Sequence, residues 1–175
     1  AREIVKHAHA NLYNEVSADE VFLAFIMAAR IFIEREPEYS YAAARLLLVE
    51  HAQKVAHFFK LGTASFLAAK QEEILNDKMV FKRFINFAVD KGLLNVALQD
   101  SFDLDRLAQA LKSERNKQFT YLGLQTLYDR YFIHYQGVRL ELPQVFFMRV
   151  AMGLALAEPQ ALRTEKALEY YDILS

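Results

Sequence analysis

Residues 119–157 constrain the fold more than any other part of this chain, because two helix signals flank a turn signal there. The first helix is predicted at residues 122–131, where the hydroxyl of Thr120 can cap the first turn. Two short extended runs follow, at residues 132–134 and 138–142, on either side of Tyr135-Gln136-Gly137. Gly137 can adopt the positive φ that a tight hairpin turn needs. The predicted order is helix, short hairpin, helix.

The second helix of this segment is predicted at residues 144–156, and Pro143 suits its first position. Its side chains are nearly all apolar, so we expect this helix to be buried. The 175 residues include only 5 glycines and 3 prolines, and 54% of them are hydrophobic. Such a composition favours long helices with few tight turns. The predicted fold class is all-α, a helical bundle domain with one short β-hairpin.

Helix signals of the same kind occur along the rest of the chain. Ser17 and Glu20 form a capping-box pair ahead of an apolar stretch, and Asp103 can cap a short helix. The charged residues 114–118 are interpreted as a connector. The other predicted helices are residues 1–13, 18–35, 40–59 and 103–112, and a last helix that ends at Leu174. Gly62 is expected to close the helix 40–59. Two further helices are predicted within residues 64–92; they are separated near Asn76-Asp77, and the second ends at Lys91-Gly92.

Composition argues against several functional classes. The formal net charge is −1 without a basic block, so no nucleic-acid partner is expected. No apolar run approaches the roughly 18 residues of a membrane span, and the opening AREIVKHAHA lacks the apolar core of a signal peptide. The absence of cysteine excludes disulfides and thiol catalysis in these residues and fits a cytoplasmic location. Because the chain lacks an initiator Met and ends in a helix-like sequence, we expect it to be a fragment.

The histidines and acidic residues do not form a convincing catalytic or metal-site pattern. His7 and His9 are two positions apart and His51 and His57 six apart, so neither pair shares a helix face well. We interpret them as surface or lightly packed histidines. The acidic pairs Glu72-Glu73, Asp103/Asp105 and Glu169/Asp172 lie in helices or at caps, where a role in solvation or helix capping is preferred over acid–base catalysis. No glycine-rich phosphate loop occurs.

Aromatic and arginine side chains around the hairpin leave two interpretations open. A stacking surface or radical relay is the functional one, and a core or docking face is the structural one, which we favour. For the arginines, ion pairing across the hairpin explains their positions as well as an anionic ligand would. The residues concerned are Tyr121, Tyr128, Tyr131, Phe132, Phe146 and Phe147, with Arg130, Arg139 and Arg149 near Asp129 and Glu141.

The segments YLGLQTLYDRYFI, GVRLELPQVFFMRVAMGLAL and EKALEYYDILS closely resemble the N-terminal helical domain of the large, catalytic subunit of class I ribonucleotide reductase. Upstream, residues 17–48 resemble the C-terminal half of that family's ATP-cone, whereas residues 49–118 match only loosely. The residues that carry this upstream match are Pro37, Tyr39, Ala44, Arg45 and Leu46. The resemblance implies two domains: residues 1–52, the C-terminal helical half of a degenerate ATP-cone, and residues 53–175, the N-terminal helical domain.

The resemblance also implies the activity and the partners of the complete protein. Members of this family reduce ribonucleoside diphosphates to deoxyribonucleotides for DNA synthesis by a radical mechanism. Cysteines and a glutamate on a following α/β barrel carry out the chemistry, so the sequence predicts no catalytic, cofactor-binding or metal-binding residue here. The expected role is structural and regulatory. The implied partners are the rest of the large subunit, a radical-generating metal-containing small subunit and a second large subunit, with ATP and dNTP effectors.

The half-cone departs from the family pattern at its nucleotide site. The family's N-terminal Lys-Arg-Asp-Gly hairpin is absent, and Ala18 and Phe22 stand where polar residues are expected. A lysine of the pattern falls on Gln53, with Lys54 one position away. A phosphate site needs converging donors, so this half-cone is predicted not to bind ATP. It would match the inner, inactive cone of family members that carry two cones in tandem.

Two classes of function follow from the sequence. The first is the front part of the reductase large subunit, in which residues 144–156 pack under the barrel and leave an apolar face uncovered in the separate chain. The alternative is a free-standing helical interaction module of the same ancestry, without catalysis and with polar outer faces. An unrelated helical bundle is set aside because residues 119–175 match the family without a gap.

Overall fold

The structure is a computed structural model, and it describes residues 2–10, 12–13, 15–61 and 77–175, except for the side chain of Ala18. The predictions that concern Gly62, the helix before Asn76 and the pair Glu72-Glu73 lie outside the described residues. The all-α prediction with one short hairpin is confirmed.

Within the described residues, the chain forms helices and one pair of short strands. They are α1 Arg2–Ala10, α2 Ala18–Ile31, α3 Tyr39–Phe58, α4 Asp77–Asp90, α5 Ala97–Asp100, α6 Leu104–Ala110, a 3-10 helix Ser113–Gln118, α7 Tyr121–Arg130, β1 His134–Tyr135, β2 Val138–Arg139, α8 Pro143–Ala155, a 3-10 helix Gln160–Leu162, and α9 Arg163–Leu174.

The predicted N-terminal caps are confirmed. Ser17 and Glu20 form a complete capping box at α2, Asp103 accepts from the backbone N–H of Arg106 at α6, and Thr120 accepts from that of Gly123 at α7. Pro143 opens α8. These caps were predictable because each one depends on residues within three positions of one another.

Helix α1 ends at residue 10, before the predicted end at residue 13, and two further segments differ from the prediction. Helix α2 ends at Ile31 rather than near Arg35, because Phe32 turns into the core and the backbone N–H groups of Phe32 and Ile33 bond three residues back. The connector at residues 114–118 is part of a 3-10 helix rather than an irregular link.

Two helices end in the same hydrogen-bonded motif with different residues. At the end of α4, Gly92 has φ +67° and Leu93 donates to the carbonyl of Ala88 at 2.8 Å, which confirms the predicted stop. At the end of α3, Lys60 has φ +51° and Leu61 donates to the carbonyl of Ala56 at 2.9 Å. Gly62 was predicted to close this helix, whereas the residue with positive φ at its end is Lys60.

The chain forms two compact units, residues 1–52 with 117–131 and residues 53–116 with 132–175. In the first unit, α1 packs on α2 and contributes Ile4 and Ala8 to a core with Ala29 and Phe32. A second cluster of this unit contains Leu124 of α7, together with Ile26, Ala44 and Leu47. The predicted division into residues 1–52 and 53–175 as functional domains stays a prediction.

In the second unit, α8 and α9 pack closely along each other, and α4 contacts α5, α6 and α8. Phe81 and Phe84 of α4, Met148 and Met152 of α8 and Tyr171 of α9 are almost completely buried. The expected burial of α8 therefore holds for one face. On its other face Leu154 is 55% exposed.

The hairpin is shorter and tighter than predicted. Tyr135 pairs with Val138 in the sheet, so the loop is the two-residue Gln136-Gly137. Both loop residues have positive φ, +48° for Gln136 and +81° for Gly137, as in a type I′ turn. The prediction for Gly137 is confirmed, whereas the placement of Tyr135 in the turn is wrong because this residue belongs to β1.

Candidate functional site

The histidines are dispersed rather than gathered into a site. His7, His9 and His57 are exposed, and the ring of His7 meets that of Phe32 edge-on at 5.0 Å. His51 is buried, and its ring packs edge-on against Tyr128 at 5.0 Å. Within residues 2–10, 12–13, 15–61 and 77–175, no three His, Cys, Asp or Glu side chains are placed to hold a metal ion.

The described acidic pairs have structural partners. Asp103 caps α6, and Asp105 forms an ion pair with Lys82 at 2.7 Å. Glu169 forms an ion pair with Lys166 at 2.7 Å, and the carboxylate of Asp172 forms ion pairs with both Lys112 and Arg115. These contacts support the interpretation of the pairs as capping and surface groups.

The aromatic residues near the hairpin separate into different contacts. Phe146 lies against Phe132 with ring centroids 5.7 Å apart and against Phe147 at 5.1 Å. Tyr121 lies under the guanidinium of Arg30, 5.0 Å from its ring centroid, inside the first unit. The packing interpretation accounts for these rings.

Glu141 and Arg149 form a buried ion pair at the base of the hairpin, as the ion-pairing interpretation predicts. The carboxylate of Glu141 is completely buried and accepts two hydrogen bonds from the guanidinium of Arg149. It also accepts from the backbone N–H of Ile133 at 2.7 Å. Burial raises the pKa of Glu141, while the nearby Arg149 guanidinium opposes that shift. This carboxylate joins the hairpin to α8.

A second buried carboxylate, Asp77, holds the start of α8 from a distant part of the chain. The residue before α8, Leu142, has no side chain able to cap a helix. In its place, Asp77 Oδ1 accepts the backbone N–H of Gln144 at 3.1 Å. Asp77 Oδ2 accepts from the side-chain amide of Asn116 at 2.9 Å. Asp77 is therefore a tertiary N-cap of α8.

These contacts continue into a chain of hydrogen bonds that we call the relay. It runs from the backbone N–H of Lys112 to Tyr171, Gln144, Asn116 and Asp77. The donor–acceptor distances are 2.9 Å from Lys112 N to Tyr171 Oη, 2.6 Å from Tyr171 Oη to Gln144 Oε1, 2.9 Å from Gln144 Nε2 to Asn116 Oδ1 and 2.9 Å from Asn116 Nδ2 to Asp77 Oδ2. The relay links α4, the first 3-10 helix, α8 and α9.

The relay was not predicted from the sequence. One signal was available, because Gln144 is a polar residue at the start of an otherwise apolar helix, and a buried amide needs partners. Its partner Asp77 is 67 positions away, and no local pattern indicates the pairing. The carboxylates of Asp77 and Glu141 are both engaged by donors of the chain itself, so the arrangement fixes helices rather than presenting a reactive group.

The comparisons with known proteins agree with one another. The family model described as "Ribonucleotide reductase, all-alpha domain" matches residues 117–175. A protein of Chlamydia trachomatis named ribonucleoside-diphosphate reductase subunit alpha is 47% identical over 168 residues, which is 96% of this chain and 15% of the relative. The protein of the same name from Helicobacter pylori strain 26695 is 31% identical over 175 residues, 99% of this chain and 20% of the relative.

A more distant relative, ribonucleoside-diphosphate reductase large chain 2 of Saccharomyces cerevisiae, is 28% identical over 146 residues, 79% of this chain and 14% of the relative. The chain thus spans only a small part of the relatives it matches. Within the part of the chain that the structure describes, no helix is long and apolar enough to cross a membrane. Two of these relatives match nearly the whole chain under the same name, and the chain belongs to the ribonucleoside-diphosphate reductase large-subunit family, in which it corresponds to the N-terminal region that contains the all-alpha domain.

Proposed function

We propose that the complete protein is the large subunit of a ribonucleoside-diphosphate reductase, which reduces ribonucleoside diphosphates to deoxyribonucleotides for DNA synthesis. The 175 residues serve it as a structural and regulatory front part. The observation that carries this proposal is the 47% identity, over 96% of the chain, to a protein named as the alpha subunit of that enzyme.

The radical chemistry belongs to another part of the complete protein. The resemblance implies catalytic cysteines, and these 175 residues contain none. The two buried carboxylates also point to a structural role, because Glu141 is engaged by Arg149 and Asp77 by Asn116 and a helix N-terminus. The contribution of this region is to present rigid helices to its partners.

The first partner proposed is the remainder of the large subunit, including the catalytic α/β barrel. Exposed apolar side chains support this, since Leu154 on α8 is 55% exposed and Ile173 near the end of α9 is 79% exposed. Covering such surface contributes about 25 cal/mol per Å². A radical-generating, metal-containing small subunit and a second large subunit complete the proposed assembly, which works in the cytoplasm under ATP and dNTP effectors.

Residues 1–52 are proposed to be the C-terminal helical half of an ATP-cone that has lost its nucleotide site. Phe22 on α2 supports the loss, because its ring is 8% exposed and carries no polar atom for a phosphate. Gln53 and Lys54, the other positions of the family pattern, are partly buried on α3. The regulatory role of this half-cone is then to connect neighbouring parts of the protein through packing contacts rather than to bind an effector itself.

The alternative, a free-standing interaction module, needs polar outer faces, and one feature of α2 bears on it. Leu23, Met27 and Ile31 recur every four residues and are 55%, 48% and 57% exposed, so they form an apolar stripe. The same stripe disagrees with the polar outer faces that a solitary module needs. We therefore place the reductase subunit first.

One measurement distinguishes the two functions. The native polypeptide is isolated from its source cells, and its intact mass is compared with the 20.2 kDa of these residues. A mass several times larger, with reduction of a ribonucleoside diphosphate when the small subunit is added, supports the reductase. A native mass near 20.2 kDa, with no cysteine-bearing partner in the purified complex, supports the interaction module.

A further inference from the structure

The relay has one hydrogen-bond polarity, which is fixed at both ends. At one end, the backbone N–H of Lys112 can only donate, so the Tyr171 oxygen accepts from it. The Tyr171 O–H donates to Gln144 Oε1 at 2.6 Å, and the Ser175 side chain is a further partner of the Tyr171 hydroxyl. At the other end, an ionised Asp77 can only accept, so Asn116 must present its NH₂ group. The amides of Gln144 and Asn116 then have a single orientation that satisfies both ends.

A proton on the Asp77 oxygen that faces Asn116 conflicts with this polarity, whereas the hydroxyl of Ser113, a further partner of this carboxyl, can rotate to donate or to accept. Asp77 Oδ2 faces the NH₂ group of Asn116, and Oδ1 faces the backbone N–H of Gln144. If Oδ2 becomes an O–H donor, Asn116 must turn its oxygen toward it, and Gln144 must turn in response. The Tyr171 oxygen then faces two donors, and its own O–H must leave Gln144.

We propose that the relay is a proton-sensitive latch between α8 and α9: ionised Asp77 keeps the Tyr171 hydroxyl bonded to Gln144, and proton uptake by Asp77 reverses the amides and releases that hydroxyl. The latch is a property of the fold and does not depend on the catalytic activity.

The groups around Asp77 make it able to take up a proton. It is 1% exposed, and its hydrogen bonds come from the neutral groups of Ser113, Asn116 and the Gln144 backbone. Tyr171 on α9 is the titratable group that interacts with its charge. Several charged side chains of the neighbouring elements have other partners. Arg149 on α8 binds Glu141, Arg115 on the 3-10 helix binds Asp172 of α9, and Asp105 and Arg106 on α6 bind Lys82 and Glu165.

The sign of the pH effect follows from burial. Burial raises the pKa of Asp77, and its hydrogen bonds with Ser113, the Gln144 backbone, Asn116 and its own backbone N–H oppose the shift. Since the folded pKa lies above the unfolded one, the folded protein gains the proton at a pH where an unfolded chain is still ionised. In that window the contribution of this group to the free energy of unfolding does not fall as the pH falls. Proton uptake by Asp77 therefore does not itself lower the stability, and we expect the latch to open within the folded protein.

The test is a pH titration of the complete native chain, labelled with ¹³C in its tyrosine rings and aspartate carboxyls, from about pH 8 to about pH 4. Tyr171→Phe assigns the Tyr171 signal, and Tyr170→Phe is the matched control, since Tyr170 donates to Glu158 outside the relay. We expect the same midpoint pH for the chemical shift of the Asp77 carboxyl, the chemical shift of the Tyr171 ring and the hydrogen exchange of the Gln144 backbone N–H. The protection factor of this backbone N–H, which corrects for the slower intrinsic exchange at lower pH, should fall about tenfold, because a neutral carboxyl is a weaker acceptor than a carboxylate.

Two variants separate the effect of Asp77 on the Gln144 backbone N–H from its effect on Tyr171. In Asp77→Asn the transition should vanish from both Tyr171 and the Gln144 amide. In Asn116→Ala the transition should remain at the Gln144 backbone N–H, which contacts Asp77 directly, and should vanish at Tyr171. The proposal is overturned if Tyr171 does not respond when Asp77 gains its proton, if Tyr171 still responds in Asn116→Ala, or if Asp77 stays ionised until the protein unfolds. The wild-type titration decides the first and last points even where a variant does not fold.

Discussion

Arg149 engages both carboxylate oxygens of Glu141, with Nε bonded to Oε1 and a terminal nitrogen 3.1 Å from Oε2. The carboxylate is completely buried, and it also accepts the N–H of Ile133. Hairpin and α8 are thereby joined through one charged group. A buried carboxylate of this kind depends strongly on its cation, because removal of the cation leaves an uncompensated charge in the interior.

Replacement of the cation should accordingly be costly. Arg149→Met should lower the free energy of unfolding by about 3–5 kcal/mol, measured by urea denaturation. The matched control is Lys82→Met, which breaks the exposed ion pair with Asp105 and should cost about 1 kcal/mol or less. Equal losses in the two variants would show that Glu141 is not buried as described.

A backbone effect is expected at the hairpin turn. Gly137 has φ +81° and open space where a Cβ would be, so Gly137→Val should destabilise through strain alone, by about 1–2 kcal/mol. Gly137→Asn should cost less, since asparagine tolerates this region. As a control, Gly153 lies in α8 with open space around its Cβ position, and Gly153→Ala should stabilise by about 0.5–1 kcal/mol. Thermal denaturation of the three variants measures these changes. An unchanged Gly137→Val protein would contradict the turn.

The two faces of α8 should respond differently to truncation. Met148 is completely buried, so Met148→Ala should cost about 2–5 kcal/mol. Phe146 is only partly buried between Phe132 and Phe147, and Phe146→Ala should cost less, about 1–3 kcal/mol. Urea denaturation of both variants gives the order, and a larger loss for Phe146→Ala would contradict it.

A carboxylate at the start of α2 should make stability depend on pH in the acid range. The pKa of Glu20 is lowered from 4.5 to about 2, first by the hydroxyl of Tyr13 and then by Ser17. A lowered folded pKa means that the stabilisation is present above about pH 4.5 and is lost as the pH falls toward 2. The difference in melting temperature between wild type and Glu20→Gln should therefore shrink over that range. Tyr13→Phe should narrow the pH range over which this difference changes, since it removes the strongest hydrogen-bond donor to Glu20. A difference in melting temperature that does not depend on pH would contradict the lowered pKa of Glu20.

The half-cone is expected not to bind nucleotide. Calorimetric titration of residues 1–175 with ATP or dATP, after circular dichroism has verified the fold, should show no binding at micromolar concentrations. The physical reason is the apolar Phe22, which is buried on α2 and offers no donor to a phosphate. Micromolar binding would contradict the loss of the site while leaving the family assignment intact.

Local features of the fold were predictable from the sequence, because their partners are near in the chain. Ser17 and Glu20 are three positions apart, and Thr120 and Asp103 each cap the helix that follows directly. Gly137 and Gly92 have the positive φ values expected of them. In these cases, residue chemistry and spacing together determine the conformation.

Features that depend on distant partners were not predictable in the same way. Lys60 adopts positive φ at the end of α3, where glycine is the usual residue. The contact of Gln144 with Asp77 requires the helices to be placed first, and the sequence around Asp77 gives no sign of it. The function came from a resemblance rather than from a site, because the buried polar groups of this region bind one another.

The cap that Asp77 provides to α8 has a consequence for the order of events during synthesis. Asp77 leaves the ribosome 67 residues before Gln144, so the acceptor for the first turn of α8 already exists when that turn is made. A peptide that contains α8 alone would leave the same amide to water and would lose part of its helicity. The start of α8 is thus encoded in two places, and neither place specifies it without the other.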